Sequence, residues 1–199
     1  MGEMILSGIK FFIAVLLVPI VIASAINFYE HLHAYSGIST EFFVYGLWGF
    51  LLTFLFLYQF SGLYDSGQKM VGGIFRFAAP VDRFLINLIP IFTILTLVAF
   101  FLVKKIINNS GYDHYFMFFA GFTYGMHVLL TAQYLQGQET SPIKPHYLMV
   151  MNIVLIFSAG IVILSLDLVY GTLTIVDFLS LVYEDAVGIY KIVFGRIIQ

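Results

Sequence analysis

Polar residues are sparse along this chain, and apolar length organises it more than periodicity does. Apolar runs cover residues 5–28, 42–64, 84–103, 115–136 and 147–170. Each is about 20 residues long, the length a helix needs to cross a hydrocarbon core roughly 30 Å thick. In that medium the backbone must satisfy its own hydrogen bonds, so runs of this length without strict alternation predict helices. The expected fold class is all-α, a polytopic integral membrane helix bundle. Five transmembrane helices form a single domain over residues 1–199, and a C-terminal amphipathic helix adds a candidate sixth span. Ala23, Ser24 and Ala25 near the end of the first run resemble a signal-peptide cleavage site, but the run is read as a retained span.

The C-terminal helix, about residues 172–198, has a different pattern. Asp177, Ser180, Glu184, Gly188, Lys191 and Gly195 follow at steps of three and four and make one narrow polar stripe. Its large apolar residues each favour insertion by about 0.3–0.6 kcal/mol, while Glu184 and Asp185 each oppose it by about 2.5–3.5. The sums nearly cancel. Both a sixth crossing and a helix deep in the interface fit, with the stripe expected against protein from this chain or a partner.

Composition agrees with a membrane setting: 61% of residues are hydrophobic, 18% aromatic and 10% charged, with a mean hydropathy of +0.98. A formal charge of −2 gives no basic surplus for a nucleic-acid partner, and the absence of cysteine excludes disulfides and thiolate chemistry. Loop charge sets orientation. The 29–41 loop has no Lys or Arg, whereas the 65–83 loop has Lys69, Arg76 and Arg83, which predicts that 65–83 is cytoplasmic and 29–41 outside. In that cytoplasmic loop "SGQKMVGG" reads as flexible and "IFRFAAPVDR" as a short amphipathic piece. Its Arg76 and Arg83 either snorkel to phosphates or dock a partner.

Candidate chemistry is limited. Glu30, His31 and His33 lie at the end of the first run, and the expected topology puts them on the same membrane face as His114. Glu30, His33 and His114 are the residues that could share a metal, but on a continuous helix His31 and His33 project about 200° apart and cannot chelate one ion. The expectation is no metal and an aromatic interfacial belt instead. In the fourth run Tyr124, His127, Thr131 and Tyr134 make a polar stripe, with His127 about 18 Å from the start at about 1.5 Å per residue. A neutral His127 hydrogen-bonded to a neighbouring helix is the plainer reading; a proton or substrate site is the sharper one. Gly121 and Gly125 form a G-x-x-x-G that permits close helix approach. Asn87, Gln59, Gln133 and Asn152 read as interhelical glue, and Pro90 predicts a kink in the third span. Lys10 and Asp167 lie near span ends, within snorkelling reach of an interface.

No nucleotide loop, kinase-like set or acid–base pair at catalytic spacing is present, so no cofactor is expected. Three classes of function remain: a non-enzymatic subunit anchoring or docking a larger membrane complex, a small oligomeric carrier or channel, and a membrane-embedded lipid-modifying enzyme. The first is favoured. Its expected partners are the lipid bilayer of a plasma membrane (bacterial inner membrane) and other membrane subunits or further copies of itself, met through Arg76, Arg83, Asp177, Glu184 and Lys191.

Overall fold

A computed structural model describes residues 2–35, 37–57, 61–74, 87–107, 110–138 and 143–195. Nearly all of these are helical, as apolar runs without alternation require. Seven α-helices are present among them: α1 (Gly2–Tyr35), α2 (Gly37–Leu57), α3 (Ser61–Ile74), α4 (Ile91–Ile107), α5 (Asp113–Gly137), α6 (Pro145–Tyr170) and α7 (Ile175–Gly195). The protein is all-α. Among the described residues three helical segments, Ile5–His33 of α1, α5 and α6, are long and apolar enough to cross a membrane, and Thr40–Phe56 of α2 is a shorter apolar helix.

Contacts give the helix directions. Phe28 of α1 packs on Phe43 near the start of α2, which makes α1 and α2 an antiparallel pair. Phe43 and Leu47 of α2 meet Gly121 and Gly125 of α5 in the same order, so these two run parallel. Phe100 of α4 stacks on Phe116 near the start of α5 at 5.0 Å between ring centroids, while Phe92 shares a cavity wall with Met126, and these two are antiparallel. Early α1 meets early α6 where Asn152 Nδ2 donates to the Ala14 carbonyl at 2.8 Å, and late α1 meets late α6 where Tyr35 reaches Asp167 at 2.9 Å. Helices α1, α4 and α6 therefore end on one face of the bundle, and α2, α5 and α7 start from it. The main core lies among these helices, with Phe43, Phe100, Met117, Ile163, Leu166 and Phe178 almost wholly buried.

Two sequence expectations change. Pro90 does not kink a span: the helix containing most of that run begins after it, at Ile91, and the Pro90 carbonyl accepts the Ile94 N–H at 3.0 Å as the first bond of α4. Proline lacks an N–H and pushes the preceding residue out of the α region, so a break there is the cheaper solution. The stretch 66–73, expected to be flexible, is helical within α3. Its glycines are poor helix formers, but Tyr64, Gly67 and Val71 at steps of three and four are buried, and tertiary packing outweighs propensity in short helices. A Cβ on Gly67 would lie 2.4 Å from Cε2 of Phe92, so glycine is what lets α3 approach α4. Arg76, Arg83 and Gln59, and all but the first residue of the expected amphipathic piece 74–83, lie outside the described residues.

Candidate functional site

Helix α7 turns back along α1. Phe178 stands edge-on to His31 at 5.4 Å, Asp185 Oδ2 accepts Asn27 Nδ2 at 2.7 Å, and the Tyr190 hydroxyl donates to the Leu16 carbonyl. These contacts run in opposite directions on the two helices, over about 18 Å of α7 at about 1.5 Å per residue. The buried side of α7 is Phe178, Val182 and Ala186, positions four apart on one face. Asp177, Ser180, Glu184 and Lys191 are all exposed. The polar stripe thus lies opposite the face that packs on this chain, and of the two expected coverings, this chain is not the one provided among the described residues. Gly188, on the same stripe, has no atom within 4 Å of where a Cβ would stand.

The polar stripe of α5 is divided among several neighbours. The Tyr124 hydroxyl shares a hydrogen bond of 3.3 Å with Ser158 of α6. His127 bonds the backbone of Asn87, ahead of α4. Thr131 shares a bond of 2.9 Å with the Tyr64 hydroxyl of α3, and Gln68 Nε2 donates to both the Tyr64 oxygen and, at 3.2 Å, to Asn87 Oδ1. Tyr134 is exposed and does not join them. The His127 side chain is buried, its Nε2 has no partner among the described residues, and it lines a cavity of about 10 Å³ with Tyr64, Gln68 and Val71. That is room for about one water and no substrate. Gly121 sits so close to α2 that an added Cβ would fall 1.9 Å from the Phe43 carbonyl oxygen, and one on Gly125 would meet Leu47 at 3.3 Å.

A third polar cluster joins α1, α6 and α7. Asp167 is 2% exposed. Its Oδ1 accepts the hydroxyls of Tyr35 at 2.9 Å, Thr172 at 2.7 Å and Thr174 at 2.8 Å, and its Oδ2 accepts the Ile175 N–H at 2.8 Å. The connection is made possible by Gly171, whose φ of 71° ends α6 in a left-handed cap. Burial, with Asp167 beside it, raises the Tyr35 phenol well above its usual range. Asp167 does not snorkel to an interface: it acts as an acceptor hub and caps α7 from eight residues away. The local text "DLVYGTLT", with an acid, a C-cap glycine and two threonines, contained the signal.

Helix α1 continues through 28–35 without a break. His31 is buried, with Nδ1 at 3.0 Å from the Asn27 carbonyl, while Glu30 and His33 are exposed and His33 stands edge-on to Tyr29. His114 packs on Tyr115 and Phe42. Glu30, His33 and His114 are not brought into one ligand set, and no group of three or more His, Cys, Asp or Glu residues able to hold an ion occurs among the described residues.

Comparison with protein-family models, curated proteins and solved structures finds no match to this chain.

Proposed function

We propose that this protein is a non-enzymatic, multi-pass integral membrane subunit that docks onto a larger membrane complex through the outward face of α7. The carrying observation is that α7 runs antiparallel beside α1, the longest apolar helix, while Asp177, Glu184 and Lys191 point away from the chain. If α1 crosses the bilayer, Glu184 lies at hydrocarbon depth, where a charged group facing acyl chains costs about 2.5–3.5 kcal/mol even on insertion scales. A partner helix bearing Lys or Arg at that depth removes the cost. A second copy of this chain does not, because an axis along the membrane normal keeps each residue at the depth of the same residue in the other copy, and Lys191 lies about 10 Å along α7 from Glu184.

In this reading the apolar runs and α7 make six crossings. The alternation of helix directions supports six, and so does loop charge, since a crossing α7 puts seven basic residues inside and leaves only Lys104 and Lys105 outside. The end of α1 and the start of α2 face outward, and α3 faces the cytoplasm of a plasma membrane. The natural absence of cysteine makes single introduced cysteines clean probes of that orientation: one at residue 38 should react with an impermeant maleimide on intact cells and one at residue 69 should not.

Native purification in mild detergent should return a second membrane chain in fixed stoichiometry. Glu184→Lys should lose it at least tenfold while this chain keeps its own unfolding transition, and a basic residue on the partner changed to Glu should restore the pair. Recovery of only homo-oligomers, or a partner retained after Glu184→Lys, would overturn the docking reading.

A further inference from the structure

Beyond docking, the outer half of the bundle holds a second recognisable surface. Between α4 and α6 an apolar groove of about 420 Å³ opens sideways, lined by Ile94, Val98 and Phe101 on one wall and Ser165, Leu168 and Val169 on the other. This is within the size range of ligand sites. Its one hydroxyl is already committed, since Ser165 donates to the Ile161 carbonyl at 2.7 Å, so the walls ask for an apolar occupant. The α4 wall has a charged continuation. Ile94, Val98, Phe101 and Lys105 follow at steps of four, three and four and share one helix face, and Lys105 is exposed in the last turn of α4. Beside it Lys104 holds its ammonium 4.1 Å from the centroid of the Tyr170 ring, next to groove residue Val169, and 5.8 Å from that of Phe100. The rings restrict where that cation can be.

We infer that this groove binds an anionic phospholipid, one acyl chain lying between α4 and α6 and the phosphate meeting Lys104 and Lys105. An apolar trough ending in two cations matches an amphiphile with an acyl tail and an anionic head, and neither a neutral lipid nor a soluble anion uses both parts. Lysines that merely snorkel to headgroups would attract any phosphate near the surface; here one of the two stands over the ring of Tyr170, the residue after groove residue Val169, and the other continues the α4 wall one turn beyond Phe101.

The test is native mass spectrometry of the full chain, delipidated and then exposed to equal amounts of phosphatidylglycerol and phosphatidylcholine with the same acyl chains. Phosphatidylglycerol should be retained at least tenfold better. Lys104→Gln with Lys105→Gln should bring the two lipids to parity, and Val98→Trp, which fills the groove, should reduce retention of both while leaving the unfolding temperature of the lipid-free chain within a few degrees. Millimolar inorganic phosphate should not displace the lipid. Equal retention of the two lipids by the natural chain, a preference that survives the lysine changes, retention unaffected by Val98→Trp, or displacement by phosphate would each overturn the proposal.

Discussion

The α2–α5 seam and the α1–α6–α7 seam hold this bundle together by different means. Along α2 and α5 the backbones themselves approach: a Cβ on Gly46 would lie 2.0 Å from the Phe118 carbonyl oxygen, and one on Gly121 lies 1.9 Å from that of Phe43. Along α1 the joints are polar side chains. Asn152 reaches the Ala14 carbonyl, Asn27 meets Asp185, Tyr190 reaches Leu16, and Tyr35 closes on Asp167. Two of these, at Ala14 and Leu16, fall about one turn before Pro19, a proline inside α1. Its missing N–H leaves the Val15 carbonyl without its helical donor, and the carbonyls on either side are the ones that take donors from α6 and α7. Where lipid tails are as apolar as the side chains, helices associate either by close van der Waals approach at small residues or by hydrogen bonds. The two seams use one solution each, and they should fail in different ways.

The largest effect is expected at the backbone seam. Gly121→Leu forces α2 and α5 apart and should cost about 3 kcal/mol or more, beyond ordinary overpacking because the obstacle is a carbonyl and not a movable side chain. Loss of less than 1 kcal/mol in a reversible unfolding titration would mean that the seam is not close-packed. Next comes Asp167→Ala, which strands three hydroxyls and an N–H and should cost about 2–4 kcal/mol. Amide exchange at Ile175 should rise with it, because α7 loses its cap. The Asn27–Asp185 joint should be weaker: a double-mutant cycle with Asn27→Leu and Asp185→Leu is expected to give a coupling of about 0.5–2 kcal/mol, the range of interhelical hydrogen bonds in membranes. His127→Leu should cost a similar 0.5–2 kcal/mol and leave assembly intact. If it instead abolishes a transport or enzymatic activity in a folded, assembled protein, His127 becomes a functional site. The smallest effect is reserved for Gly188→Ala, which enters open space and should change the stability of the isolated chain by less than about 1 kcal/mol, in the stabilising direction.

Much of this arrangement was legible in the sequence in outline and not in detail. The helices at 5–28, 115–136 and 147–170 followed from apolar length, since a hydrocarbon slab fixes how long an unbroken helix must be. The start of the third span did not, because hydropathy is blind to the missing N–H of Pro90 until tertiary packing has to choose between a kink and a break. Helix α3 was hidden by its glycines, which look like a flexible linker to any local scale and are used for close approach to α4. At the candidate sites, the spacing of Tyr124, His127 and Thr131 marked one face of α5 but gave no hint that three different neighbours would divide it.

What the chain determined alone is its solvent: with so little charge and apolar runs of this length, helices buried in or against hydrocarbon follow from composition and the need to satisfy every backbone hydrogen bond. The stripe on α7 was equally a property of the text, because a period of 3.6 places Asp177, Glu184 and Lys191 together whatever surrounds them. Only the tertiary structure decided which way that stripe faces. A helix with an apolar face and a polar face can pack with either one inward when its neighbours offer both apolar and polar surface. Phe178, Val182 and Ala186 take the inner position and join the main buried cluster with residues of α1 and α6, while Asp185, which lies off the stripe, meets Asn27 of α1.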